Sequence, residues 1–499
     1  YQQCIRIIST SKNALSVIHI CHAFRVASFT MPRLDGTKTG KKIKFKTKNI
    51  AQLPGQTTIK QSIMNINTTT SRISEYAFIG YFFIISFFPY GADTIKLLCL
   101  LTLIGCWITM MISERDMRFT KTLINIPIIS FLLCSMAASF YSAHTKNSLE
   151  TVLHDYLVYF IIFFCMVNTI RSREQINRIV KAMLITCGLV CAYGVYGYYT
   201  GIAIRDGRLV ATFEYHSRIA KYISLLLPIA VCLFLWYKDK LSRLSLSLFV
   251  ILCSFSLVLT MSRASWVAVF IAMIFIGFAT QKKLLVILFI GVCGLLVFIL
   301  PSKFITHAKT ITQVNKFFTS KEILGERLLC WKASVAIIKD HPVLGIGPGK
   351  KNFRDAYQQY RKKIKATEKQ LKGEKAPEQQ QEMKTQKKDR ARKAASLSHA
   401  HNILLHVWVE TGMVGLLSFL WLFATVFYAA IKSWRFSSVG YEKMLLMGIT
   451  ASLIAIFSHG FTDSFWKKPD ALFLWYIISI LFVVIHTTSI TSKDKRALP

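Results

Sequence analysis

No CxxC pair occurs in the 499-residue sequence, nor any Cys/His spacing of the kind that holds a structural zinc. Nine of the twelve cysteines (Cys99, Cys106, Cys134, Cys165, Cys187, Cys191, Cys232, Cys253 and Cys293) lie inside apolar runs, where a thiol behaves as a small hydrophobe. Only Cys330 falls in the one long loop, so that loop has no internal disulfide partner. Acidic residues are scarce, 25 against 62 Lys and Arg, for a formal net charge of +37. Such an excess invites a nucleic-acid reading, but no recognisable binding module accompanies it, and nucleic acid is not an expected partner. The two-residue alternation of a membrane β-barrel is also missing.

What the chain does have is apolar length. From Tyr76 onward it falls into runs of about 17–22 residues, enough to cross a ~30 Å hydrocarbon core as helix. Only helices and closed barrels satisfy their backbone groups in lipid, so these runs predict an all-α, polytopic membrane helix bundle. We place twelve transmembrane helices, at about 74–90, 94–113, 122–141, 153–170, 180–199, 219–237, 244–260, 264–280, 284–300, 403–431, 444–460 and 470–487. The expected organisation is a basic extension over 1–63, spans one to nine over 64–300, a large loop over 301–402, spans ten to twelve over 403–490, and a tail over 491–499. Twelve Lys and Arg face one acid over residues 1–72; we set 1–63 aside as a dispensable extension or an upstream translation artefact.

Loop charge orients the bundle. The short loops 114–121, 171–181, 238–243, 281–283 and 432–443 with the tail carry 18 Lys and Arg, whereas those on the opposite side carry 7. The positive-inside rule therefore predicts cytoplasmic termini and a periplasmic 301–402 loop, since loops beyond about 60 residues escape the rule. Its stretch 361–396 holds thirteen Lys and Arg with five acids and reads as a solvated helix or disordered insert.

On the predicted outer side, Arg205, Arg208, Arg218 and Arg263 stand where selection disfavours positive charge. An arginine at a membrane boundary either snorkels to headgroups or marks a site; Arg263, on the tight turn of "LTMSRASW", favours the second. Two segments of the long loop are patterned. In "GERLLCWKASVAIIKDHPVLGIGPGKKNF" (325–353), Leu328, Trp331, Val335 and Ile338 give helical spacing, and "DHP" ends the helix. The glycines Gly345, Gly347 and Gly349 follow; they neither follow a strand nor fit a P-loop. In "SHAHNILLHVWVETGMVGLLSF" (398–419), His399, His401 and His406 offer near-neutral titration suited to acid–base work. A metal reading of the HxH pair lacks a nearby carboxylate or thiol at ligand spacing, so no metal and no cofactor are expected.

Taken together, Arg327, Trp331, "HPVLGIGPG", Phe353, "HAHN" and "ETGMVGL" resemble the signature of the bacterial O-antigen ligase and O-antigen polymerase superfamily. "GRLVATFEYHSRIAKYISLLLP" (207–228) resembles its loop between the fifth and sixth spans, and "SRASW" (262–266) its Ser-Arg turn. The chain departs from the pattern at "EYHSR", which stands where an Asn-containing stretch is usual, and in the length of the 361–396 insert. The resemblance implies a GT-C-like glycosyltransferase of the inner membrane that needs no metal. Its donor would be a glycan on undecaprenyl diphosphate, and its acceptor a lipid A core or other glycan among the membrane lipids. By the same resemblance Arg208 and Arg263 match the family's arginines and would bind the diphosphate, while His401 would be the general base. Arg327, Arg218, His216, Asn402, His399 and Gly347 are the expected substrate-binding residues. His399 and His406 would point away from His401 on a helix.

Within the superfamily a polymerase and a protein O-oligosaccharyltransferase remain alternatives to a ligase. A transporter, in which the arginines would bind an anion, is the reading of another class. It would need charged or broken helices in the membrane, and the spans are nearly free of mid-helix ionisable residues.

Overall fold

The structure is a computed structural model that describes residues 54–114, 120–281, 291, 324–372, 397, 399–438 and 440–497. The chain divides into Tyr1–Thr58 and Ile59–Pro499. Of the first unit only 54–58 are described, as the opening of the first helix.

Helix α1 runs Pro54–Phe87, α2 Asp93–Glu114, α3 Asn125–Phe140 and α4 Thr145–Thr151. A π-helical turn, Val152–Tyr156, joins α4 to α5 (Leu157–Thr169), and α6 spans Arg173–Tyr199. Two short strands, β1 (Ile204–Arg205) and β2 (Arg208–Leu209), precede α7 (His216–Trp236), α8 (Lys240–Leu259) and α9 (Arg263–Thr280). The long loop contributes α10 (Leu324–Asp340) and α11 (Lys350–Lys372); α12 (Ile403–Phe436), α13 (Tyr441–Gly460) and α14 (Asp470–Ala497) complete the chain.

The protein is thus an all-α, multi-pass membrane protein. Among the described residues nine helices are long and apolar enough to cross a membrane, and α3 is apolar but only 16 residues long. Eleven of the twelve predicted spans fall on described helices, and the remaining one, 284–300, lies outside the described residues except for residue 291. Helix α1 begins twenty residues before its predicted span, inside the segment set aside as an extension.

Local chemistry fixes several boundaries. Ser172 and Gln175 form a reciprocal capping box that starts α6, and Asp239 accepts the Ser242 amide at 2.8 Å to start α8. At the centre, every residue of α7 from Ile219 to Leu233 is buried, enclosed by α8, α9, α13 and α14. Helix α14 packs along α5, and α12 lies between α3 and α13. Trp466, in the turn between α13 and α14, is wedged edge-on against Phe131, Tyr156, Tyr159, Phe419 and Phe423 with ring centroids 5.2–5.8 Å apart. That wedge holds the 461–469 turn in place.

Two sequence expectations change. The apolar face of α10 departs in part from the one predicted: Ile338 is buried as expected, but Leu328 and Val335 are exposed, and Cys330, Ala333 and Ile337 join Ile338 in packing against Phe353 and Tyr357 of α11 and Val409 of α12. Small residues on that side allow the close approach. The spans are also less free of charge than the sequence suggested, because Lys221, Glu410 and Asp470 are buried in α7, α12 and α14. Each is matched by a partner from a distant part of the chain, which linear reading cannot supply.

Candidate functional site

At one end of the bundle the 461–469 turn, the start of α7 and the segment before α12 converge. Asp463 is the junction. Its Oδ1 lies 2.8 Å from His399 Nε2 and 3.3 Å from His401 Nδ1, and its Oδ2 accepts a hydrogen bond from Lys221 Nζ at 3.2 Å. Lys221 also reaches Asp470 Oδ2 at 2.5 Å and donates to the Ser464 carbonyl at 2.9 Å. Burial alone would raise the Asp463 carboxyl, but Lys221 and the two imidazoles hold it well below the usual carboxylate range. An ionised carboxylate only accepts, so both imidazole nitrogens that face it must donate, leaving Nδ1 of His399 and Nε2 of His401 unprotonated in the neutral rings. Burial, reinforced by Lys467 and His401, keeps His399 well below its ordinary value against the pull of Asp463.

The two imidazoles sit side by side, ring centroids 4.2 Å apart. This corrects the expectation that His399 turns away from His401: both precede α12, which begins only at Ile403. His401 adopts φ +50°, a left-handed conformation that costs a non-glycine residue of order 1–3 kcal/mol and is typically retained where function needs it. Asn402 caps the helix, accepting from the Leu404 and Leu405 amides and donating to the Phe461 carbonyl at 3.1 Å. His406, one turn along, is buried with its Nε2 3.7 Å from Glu410.

The arginines come from three elements. Asp206 and Gly207, at φ +54° and +71°, form the tight Asp-Gly turn that pairs β1 with β2, and Arg208 leaves that hairpin with Nη1 3.0 Å from His216 Nε2. Arg263 opens α9 and Arg327 lies in the first turn of α10. Arg263 is within electrostatic reach of both Arg208 and Arg327. Burial lowers Arg208, with Asp206 opposing and Arg327 adding to the effect. His216 in turn feels Arg208, Asp463 and Arg327, so the arginine cluster and the histidine pair border one another. Two outer arginines are used otherwise. Arg218 donates to the Lys468 carbonyl at 3.0 Å and stacks over Tyr90 and Tyr215, while Arg205 covers Tyr215 and bonds the Glu214 carbonyl. Nearby, burial pushes the Lys467 ammonium down to about 7, against the pull of Glu410.

The glycine motif and "ETG" prove to be one structure. Helix α12 is interrupted at Gly412 (φ +67°), and the chain after α10 hydrogen-bonds into the interruption. Ile346 and Gly347 amides donate to the Val409 and Glu410 carbonyls at 2.9 Å, and the Met413 amide donates to the Pro342 carbonyl at 2.9 Å. The Glu410 side chain accepts from the Gly349 amide at 3.2 Å and from Tyr156 at 3.0 Å. Gly347 therefore lies against Ser142 and Ser148, where a Cβ would come within 2.4 Å of Ser142. A methyl at Gly412 would sit 2.0 Å from the Val343 carbonyl oxygen. Gly412→Ala should abolish the folded, monodisperse protein, read as loss of the main peak in fluorescence-detected size exclusion; a normal peak would refute this stitching of loop to helix.

Sequence reasoning missed Asp463, Lys221 and Asp470. The signal for Lys221 was a lone cation in the otherwise apolar "IAKYISLLLP"; Asp463 lies 62 residues from His401 and carries no local signal. Its presence also removes the argument that the HxH pair lacks a carboxylate, since the ligand atoms of His399, His401 and Asp463 lie within 4.8 Å of one another, as do the thiols of Cys187, Cys191 and Cys253. Either group could hold a metal by spacing; in the first, the Lys221 ammonium already occupies the second oxygen of Asp463. Compared with known proteins, residues 248–420 match the family described as O-antigen ligase. No curated protein matches the chain.

Proposed function

We propose, on the premise that residues 248–420 make this chain a member of the O-antigen ligase superfamily, that it transfers a glycan from undecaprenyl diphosphate to a lipid A core sugar hydroxyl. The site faces the periplasm of the bacterial inner membrane in this reading, as the loop charges predict. The observation that carries it is the placement of His401, oriented by an ionised Asp463, beside a cluster of three arginines.

His401 Nε2 accepts the proton of the acceptor hydroxyl, whose oxygen attacks the anomeric carbon. The bond from that carbon to the phosphate oxygen breaks, and undecaprenyl diphosphate departs with the electron pair. Charge grows on the diphosphate oxygens as it leaves, and Arg208, Arg263 and Arg327 meet it with planar, two-pronged donors. Diphosphate is a good leaving group, so no general acid is needed. Attack from the face opposite the leaving group inverts the anomeric centre. His216 orients Arg208, and Asn402 holds His401 at the helix start.

Arginine geometry gives a direct test. Arg263→Lys and Arg208→Lys retain the charge but lose the fork, so each is expected to lose at least about tenfold in transfer, roughly the 1.4 kcal/mol of one good charge-assisted bond. The measurement is lipopolysaccharide product formed from purified donor and acceptor by stably expressed variants. Wild-type rates in Arg263→Lys would assign that residue to headgroup snorkelling instead.

A further inference from the structure

Helix α11 has two distinct faces. Phe353 and Tyr357 are fully buried, and Tyr360 and Ile364 pack beside them toward α10. Lys350, Lys351, Arg354, Lys362 and Lys365 are exposed, with Arg361 half-buried among them. At the helical repeat these six cations fall within an arc of about 120° and extend over about 22 Å of axis. Like charges stand at i,i+4 in Lys350–Arg354 and Arg361–Lys365, and at i,i+3 in Lys351–Arg354 and Lys362–Lys365. A solvated helix normally interleaves the two signs at these spacings, and like pairs destabilise it. Of the two acids whose side chains are described beside it, Asp355 meets His144 at 2.8 Å, and Asp340 accepts from Tyr360 at 2.5 Å.

The stripe also starts at the site. Lys350 directly follows Gly349, whose amide is held by Glu410, and its charge reaches Lys467 in the turn that carries Asp463. We propose that this stripe binds the glycan of the donor, and that the glycan is acidic, with a negative charge recurring along its chain. The inference rests on the glycosyltransferase reading, which puts the reducing end of a polymer at the arginine cluster and leaves the remainder to run over the adjoining surface. The six cations form two groups, 350–354 and 361–365, each spread over about 6 Å of axis and separated by about 10 Å, so negative charges recurring every few sugars would meet one group after the other. A bilayer of anionic lipid is the rival polyanion, but nothing about a bilayer requires the stripe to begin beside the catalytic turn.

The test uses full-length protein in nanodiscs of zwitterionic lipid, with fluorescent oligogalacturonate as probe and its neutral methyl ester as control. Wild type should bind the acid, lose it as salt rises, and ignore the ester. Neutralising Lys350, Lys351, Arg354, Lys362 and Lys365 to Gln should weaken binding roughly 10–100-fold at low ionic strength, since exposed pairs contribute little singly and add over five. Equal binding by wild type and variant, or equal binding of acid and ester, overturns the proposal. So does loss of the oligomer when the discs carry phosphatidylglycerol, which would assign the stripe to the bilayer. Binding is read without turnover, so His401→Ala should retain the probe fully. A protein that binds but never transfers would refute the reaction and leave the stripe standing.

Discussion

Replacing His401 with alanine is expected to lower glycan transfer by about 10²–10⁴-fold, the usual contribution of a positioned general base, with donor-lipid binding and expression unchanged. The expectation follows from Asp463, which accepts from Nδ1 and so directs the lone pair of Nε2 away from itself. His399→Ala should be milder, because Asp463 retains both Lys221 and His401 as partners. A metal held by His399, His401 and Asp463 predicts another pattern: equal losses in the two histidine variants and inactivation by EDTA. Transfer by purified enzyme, with and without chelator, separates the two. An active His401→Ala enzyme, or chelator-sensitive wild type, would remove the base assignment.

The spans were readable because lipid forces backbone groups to pair within a helix, so apolar length alone predicts them. Arg263 was readable for a similar reason, as a cation stranded at a boundary that usually excludes it. Asp463 was not. Its role depends on Trp466 packing among five aromatic rings, which brings a turn 62 residues downstream under the histidine pair. The glycine motif was seen as a turn, but its partner was a break in a membrane helix that no periodicity announces. Gly412 reads as an ordinary helical glycine until Val343 is placed against it. The partly altered face of α10 has the same origin: Leu328 and Val335 satisfy the helical spacing, whereas the buried side was chosen by what α11 and α12 present.

Lys221 is where the largest loss of stability is expected. It is 3% exposed, and its ammonium lies between two carboxylates, 3.2 Å from Asp463 and 2.5 Å from Asp470. Removing one member of a buried ion pair leaves an uncompensated charge and costs about 3–5 kcal/mol. Lys221→Met leaves two such carboxylates in a nearly dry setting, so the variant should melt well below wild type or fail to accumulate. The cost is electrostatic rather than a matter of packing volume, since methionine fills a similar space, and this makes a rescue possible. Asp470→Asn in the same chain removes the carboxylate that has no histidine partner, while Asp463 keeps two imidazole donors. Lys221→Met/Asp470→Asn should therefore recover most of the lost melting temperature in a fluorescence melt of detergent-purified protein. Transfer should remain depressed in the double variant, because without the ammonium the Asp463 carboxyl rises, binds a proton more readily and orients His401 less firmly. That weakening gives a sign: activity of the double variant should fall earlier than wild type as pH is lowered. A double variant no more stable than Lys221→Met, or an unaltered acid limb, would mean that Lys221 acts through packing and not through Asp463.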